Sequence, residues 1–196
     1  MPIVRRRQQA TAHLVQRRFL DAAALVGERA IILRAHHPFT DPRATRCSAC
    51  WSPIYQQSTD PKDCPVCFGP AYDPPFKEVV VVRGIVQTPE EQTKEDRTGE
   101  YMPKSLNLQI EAYPQAYEGD FILRVDHWRD YQTPAKIGKR YRIATVRPND
   151  LRVGTYQPPA ESRIGQVLTM VEIPDSHVLY NYQPSLPLTV PPWPQP

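Results

Sequence analysis

The chain has 196 residues, 40 % of them hydrophobic, and a formal net charge of +3, enough for one ordinary domain with an appendage. No run of about 18 apolar residues occurs, which excludes a membrane-spanning helix, so no membrane partner is expected. The 23 prolines, about 12 % of the chain, cluster after Asp60 and Gln157 and indicate a folded centre with extended arms. Residues 1–46 hold nine Lys or Arg against three acids, and the rest of the chain balances to −3. A basic N-terminus suits nucleic acid, an anionic surface or an acidic protein partner, and is as often simply solvated.

Residues 11–26 read as a helix: Val15, Phe19, Ala22 and Val26 form one apolar stripe at helical spacing, with Gly27 as the stop. Ala30–Leu33 is a short β-type run that ends before Pro38 and the Asp41-Pro42 turn signal. Next comes the strongest chemical signal, Cys47-x2-Cys50-x13-Cys64-x2-Cys67, which uses every cysteine of the chain. Each C-x-x-C turn brings two sulfurs to one ion, and two turns close a tetrahedral site with no open position, as in structural zinc centres. The start of the chain, Met1-Pro2-Ile3-Val4 followed by Arg5, Arg6 and Arg7, shows no signal-peptide pattern. Reduced thiols and a structural Zn²⁺ on Cys47, Cys50, Cys64 and Cys67 are therefore expected over disulfides. His36 and His37 would be surplus to four thiolates, so they read as surface or packing residues. Trp51 and Phe68, each directly after a knuckle, are expected to cover the metal or to face a neighbour.

From Glu78 onward the pattern is β. Val79–Val86 reads as a strand with Gly84 as a bulge. The charged stretch 87–101, with Glu90, Glu91, Glu95 and Asp96, reads as an exposed, solvated loop and not as a carboxylate site. Leu106, Leu108 and Ile110 alternate as a half-buried strand. Phe121–Val125 and Tyr141–Val146 follow turn signals, and Val167, Thr169, Val171 and Ile173 form a further alternating strand placed at an edge. Such short strands with no helical pattern between them predict a mainly β fold, a small antiparallel barrel or sandwich. The predicted organisation is a basic helix and short strand (1–42), a zinc ribbon (43–76), a β-barrel core (77–156) with an exposed loop at 87–104, and an extended strand and arm (157–196). Gln183–Pro196 holds six prolines in 14 residues, so it is expected to be an extended docked arm with Trp193 as an anchor.

No glycine-rich phosphate loop, G-x-S-x-G or H-E-x-x-H occurs, and His13, His36, His37, His127 and His177 fall in no catalytic pattern. An enzyme is not expected.

The segments Arg46-Cys47-Ser48-Ala49-Cys50-Trp51-Ser52-Pro53 and Cys64-Pro65-Val66-Cys67-Phe68-Gly69 resemble the zinc ribbon of small neck proteins of tailed bacteriophages, in which C-x-x-C-[WY] precedes CPxCxGT. Here Pro70 replaces the usual small polar residue, and Tyr72 keeps the downstream aromatic. Glu118-Gly119-Asp120-Phe121-Ile122-Leu123 looks like the strand entry of head-closure (stopper) proteins. The ribbon match covers about 25 residues, and the rest is a matter of layout. The resemblance implies a head-to-tail connector in the virion neck, assembled in the host cytoplasm as a homo-oligomeric ring. It implies contacts with the portal or adaptor protein, with the tail terminator or tail tube protein, and with channel DNA. Arg5, Arg6, Arg7, Arg17, Arg18 and Trp193 are the residues expected to meet partners. The rival expectation is a nucleic-acid-binding zinc-ribbon regulator. Against it, the ribbon between Cys47 and Cys67 holds only Lys62 as a basic residue, beside Asp60 and Asp63. Cys64-Pro65-Val66-Cys67 also resembles a rubredoxin knuckle, with Phe68 where that family has glycine, which would imply iron and electron transfer.

Overall fold

The structure, a computed structural model, describes residues 2–87, 105–150 and 163–190, with side chains from Leu14 onward in the N-terminal helix. The elements are helix α1 (Pro2–Val26), strand β1 (Glu28–Ala35), the two-residue strands β2 (Trp51–Ser52) and β3 (Gln57–Ser58), β4 (Phe76–Gln87), β5 (Ser105–Glu111), β6 (Phe121–Trp128), β7 (Pro134–Asp150) and β8 (Arg163–Glu172). Six strands close into an antiparallel barrel in the order β1-β4-β5-β8-β7-β6, and β6 returns to β1 through pairs such as Ile31 with Leu123. Closure leaves no free sheet edge among these strands. The mainly β fold with an N-terminal helix is the one the sequence predicts.

Alternation along the strands fills the barrel. Ala30, Ile32, Val80, Val82, Leu108, Ile110, Ile122, Tyr141, Ile143, Leu168 and Met170 form one buried interior cluster, as the two-residue strand period dictates. The opposite faces of β1, β4 and β6 are apolar too. Ile31, Leu33, Val81, Phe121 and Leu123 form a second cluster outside the barrel with Ile173, Leu179 and Leu188 of the C-terminal segment. That segment carries a short 3₁₀ turn (Val178–Asn181), and Thr189 accepts a hydrogen bond from the Val81 amide at 2.9 Å. Residues 173–190 thus act as a strap over one wall of the same chain's barrel; the rest of the expected arm, with Trp193, lies outside the described residues, as does the charged stretch 88–104.

Four expectations change. The helix is longer than 11–26, and its inward face holds Val15, Phe19, Ala22 and the fully buried Ala23, whereas Val26 is exposed. Val26, the last residue of the helix, is 72 % exposed, although Gly27 directly after it lies close against the Gly84 carbonyl of β4. Gly84 is not a bulge: it pairs in register with Glu28 on one side and Ile110 on the other. Its role is close packing, because a Cβ there would lie 2.7 Å from the Gln109 carbonyl oxygen and from Leu108. On β8 the inward residues are Ile164, Gln166, Leu168 and Met170, while Val167, Thr169 and Val171 are only half-buried. Nor is β8 an edge strand; it pairs with both β5 and β7.

Candidate metal centre

The ribbon is an insertion between β1 and β4, which pair up to Ala35 and Phe76. Its neck is tied by a bridge between Arg46 and Tyr72, continued where the Cys47 amide donates to the Ala71 carbonyl at 3.0 Å. The first knuckle turns through a bond from the Trp51 amide to the Cys47 carbonyl (3.0 Å), and runs into the β2–β3 hairpin, with Gln56 at φ +50° in its turn. Asp60 at φ +43° and a single 3₁₀ turn (Pro61–Asp63) then bring the chain back to Cys64. The second knuckle closes with the Phe68 amide donating to the Cys64 carbonyl at 3.0 Å. Phe68 takes φ +52°, a left-handed conformation that glycine adopts at lower cost. Its ring offsets that cost by packing edge-on against Tyr182, 5.2 Å between centroids, in the outer core.

These turns place all four cysteines together and buried. The Sγ atoms lie within 4.8 Å of one another, with Cys47 to Cys64 at 3.9 Å and Cys50 to Cys67 at 3.6 Å. A tetrahedron with metal–thiolate bonds of ~2.3 Å has edges of ~3.8 Å, so the separations fit one ion bound by four sulfurs. They are far too long for a disulfide, whose S–S bond is ~2.05 Å, and all four cysteines are free. Burial and the neighbouring sulfurs push the Cys50 thiol well up, and burial raises Cys67. At Cys64 burial pushes the same way but is outweighed by the Cys67 and Val66 amides, which bring the thiol down to about 7. Four buried thiolates cannot coexist without a positive charge among them, and a soft cation with four-sulfur preference supplies it. All four coordination positions would be filled by protein. Such a centre holds structure and offers no open position to a substrate.

A cationic stack joins ribbon and barrel. The Arg46 guanidinium lies 4.4 Å from the Trp51 ring centre and 4.3 Å from that of Tyr72. Tyr72 in turn meets His36 at 5.6 Å between rings, and the buried His36 ring nitrogens have no hydrogen-bond partner among the described residues. Burial lowers the His36 pKa, with Lys77 and His37 adding to the effect and Asp41 opposing it. Beside it the Asp41 carboxylate resists burial and is held well below the usual carboxylate range by the Lys77 ammonium at 2.6 Å and the His37 amide. Asp120 anchors the base of the insertion. Its fully buried carboxylate accepts from the Ala35 amide (2.9 Å), the Tyr117 amide (2.8 Å) and lies 3.1 Å from His37 Nε2. Burial raises its pKa and these donors oppose the rise.

His36 and His37 are therefore packing residues, as expected. Trp51 stacks on Arg46 and Phe68 anchors the ribbon to the barrel. Among the partner-binding candidates, Arg17 and Arg18 are exposed on α1. Arg5, Arg6 and Arg7 lie in the same helix with side chains outside the described residues, and Trp193 is outside them altogether. Of the described candidates, neither Arg17 nor Arg18 joins the cysteine cluster. The residues that seat the ribbon, Arg46, Tyr72 and Asp120, were not singled out for that role by the sequence, since no periodicity links positions so far apart. A scan against protein-family models finds no match for this chain, and neither does a search of curated proteins.

Proposed function

We propose that this protein is a structural component of a tailed-bacteriophage neck, a ring-forming head-to-tail connector of the stopper type with a structural Zn²⁺ in its ribbon. It would join the portal or adaptor to the tail terminator or tail tube and retain DNA in the head. The observation that carries the reading is the ribbon segment Cys47–Gly69 with its CPxC second knuckle. Supporting it are a closed barrel from which a buried four-thiol ribbon projects and a strap that enlarges the outer core without a domain of its own. Zinc is favoured because four thiolates in a closed tetrahedron suit a redox-inert ion; elemental analysis of the purified protein decides the metal, and a red, iron-loaded protein would refute zinc.

The decisive test is electron microscopy of a lysate in which the gene is silenced. DNA-filled heads beside separate complete tails are expected. Normal particles, or none at all, refute the neck role. The arginine content of α1, five arginines against one aspartate, favours as second reading a nucleic-acid-binding regulator. That reading requires DNA affinity of the isolated protein that falls steeply with salt.

A further inference from the structure

The contact that seats the ribbon on the barrel is built around a histidine whose polar atoms are unpaired. His36 directly follows β1, and its ring packs against Tyr72, 5.6 Å between centres and tilted by 47°. Tyr72 belongs to the ribbon neck: it bridges Arg46 and carries the Arg46 guanidinium 4.3 Å from its ring centre. Both His36 ring nitrogens and the Tyr72 hydroxyl are buried without a hydrogen-bond partner among the described residues. Buried polar groups are nearly always paired, so this seat is held by packing and not by bonds.

The surroundings decide what a proton does there. A neutral imidazole has one N–H, whereas an imidazolium has two and a full charge. Among the described residues the carboxylate within reach is Asp41, whose Oδ2 stands 4.0 Å from Nδ1. That oxygen already engages the Lys77 ammonium at 2.6 Å, the Thr40 hydroxyl at 2.8 Å and the His37 amide at 3.1 Å. Burial opposes ionisation of Asp41, but Lys77 and the His37 amide hold it well below the usual carboxylate range, so it stays charged in mild acid. The other charges facing the ring are Lys77 and His37, with Arg46 across Tyr72; the His37 ring itself is bound to the buried Asp120 and lies against Tyr117.

We propose that His36 is a proton-operated catch between ribbon and barrel: neutral, it packs on Tyr72 and seats the ribbon, and protonated, it turns to Asp41 and frees the ribbon neck. A charged ring cannot stay in place, because it would be buried with two donors unmade. The turn toward Asp41 gives one of them an acceptor. Burial lowers the pKa of the seated ring. The seat is therefore complete above the free-histidine value near 6.5, and it weakens as pH falls from there to the lower seated value. The inference does not depend on the neck reading.

The test is hydrogen exchange on the full, metal-loaded chain from about pH 7.5 to about pH 5. It follows the neck amides of Cys47 and Asp73, which donate to the Ala71 and Thr45 carbonyls. Corrected for the intrinsic rate, their opening should rise by up to about tenfold per pH unit below about 6.5 in the wild type. It should stay flat in His36→Phe, which keeps a packed ring without its nitrogens, and in His36→Gln, which is neutral throughout and serves should the phenyl ring not fit. His37 and the thiolates are present in every protein, so their titration cancels. In the same wild-type samples, NMR should show the His36 ring titrating below 6.5 in step with a change at the Tyr72 ring. Parallel exchange profiles for wild type and variants, a neck that stays closed while His36 titrates, or a His36 that titrates at or above 6.5 would each overturn the catch. Metal content is measured at each pH, and an opening that follows metal loss instead of His36 would overturn it as well.

Discussion

Truncating Leu168 and its neighbour Val167 to alanine, one at a time, distinguishes the two faces of β8. Leu168 is fully buried in the barrel interior among residues such as Leu108, Ile110 and Ile143. Its truncation removes three carbons at ~0.8 kcal/mol each and leaves a cavity in a closed barrel with little freedom to collapse, for a total of about 3–4 kcal/mol. Val167 is only half-buried and opposes Gln109 and Arg147, so its truncation should cost about 1 kcal/mol or less. Urea titration with the metal site saturated measures both, and a common slope shows that the denatured state is unchanged. In a chain of this length the Leu168 variant should melt about 6–15 °C lower. Equal losses at the two positions, or a larger one at Val167, would refute the register, because a one-residue slip exchanges the faces of the whole strand.

Three further outcomes follow from the ribbon and its seat. A chelator, or Cys64→Ser, should unfold residues 47–72 while the barrel keeps its strands: the ribbon's buried cluster is only the four cysteines and Ala71, so the ion contributes on the order of 10 kcal/mol there. Loss of hydrogen-exchange protection confined to the ribbon checks this, and simultaneous melting of the barrel would contradict it. Asp120→Ala leaves the buried Ala35 amide, the part-buried Tyr117 amide and His37 without their acceptor, a loss of about 2–5 kcal/mol in chemical denaturation; a loss below about 1 kcal/mol would show that the carboxylate's burial cancels its bonds. His36, with its pKa lowered in the fold by burial, stays neutral where the unfolded chain takes up a proton. Stability should therefore fall as pH drops below the unfolded value near 6.5, down to the lower native pKa. Comparison with His36→Phe at equal metal loading cancels the thiolate contribution, and parallel pH profiles for the two proteins would rule out the assignment.

What could be read from the sequence follows from which signals are local. The cysteine spacing is local, so the cluster was legible, and β5 alternates plainly in Leu106, Leu108 and Ile110. On β8 the β-branched Val167, Thr169 and Val171 imitate an inward face, while the true inward face of Ile164, Leu168 and Met170 is interrupted by Gln166. Gln166 is buried because its amide accepts from the Ala116 nitrogen and donates to the carbonyls of Glu111, Ala112 and Pro114. Only the folded chain brings those partners together. The outer face of β1 was equally hidden: Ile31 and Leu33 are buried by a strap from about 150 residues further along the chain.

The position of the ribbon also bears on how fast the barrel can form. β1 and β4 are neighbours in the barrel, yet 40 residues, 36–75, separate them in the chain. Once an ion is bound and the Arg46–Tyr72 bridge closes, only ten residues before that bridge and three after it remain to be looped. The closure entropy then falls by about 1 kcal/mol, roughly a fivefold gain in the rate at which the two strands meet. The ion therefore shortens the search for a barrel it never touches, and a chain made under metal starvation would close its first strand pair several times more slowly.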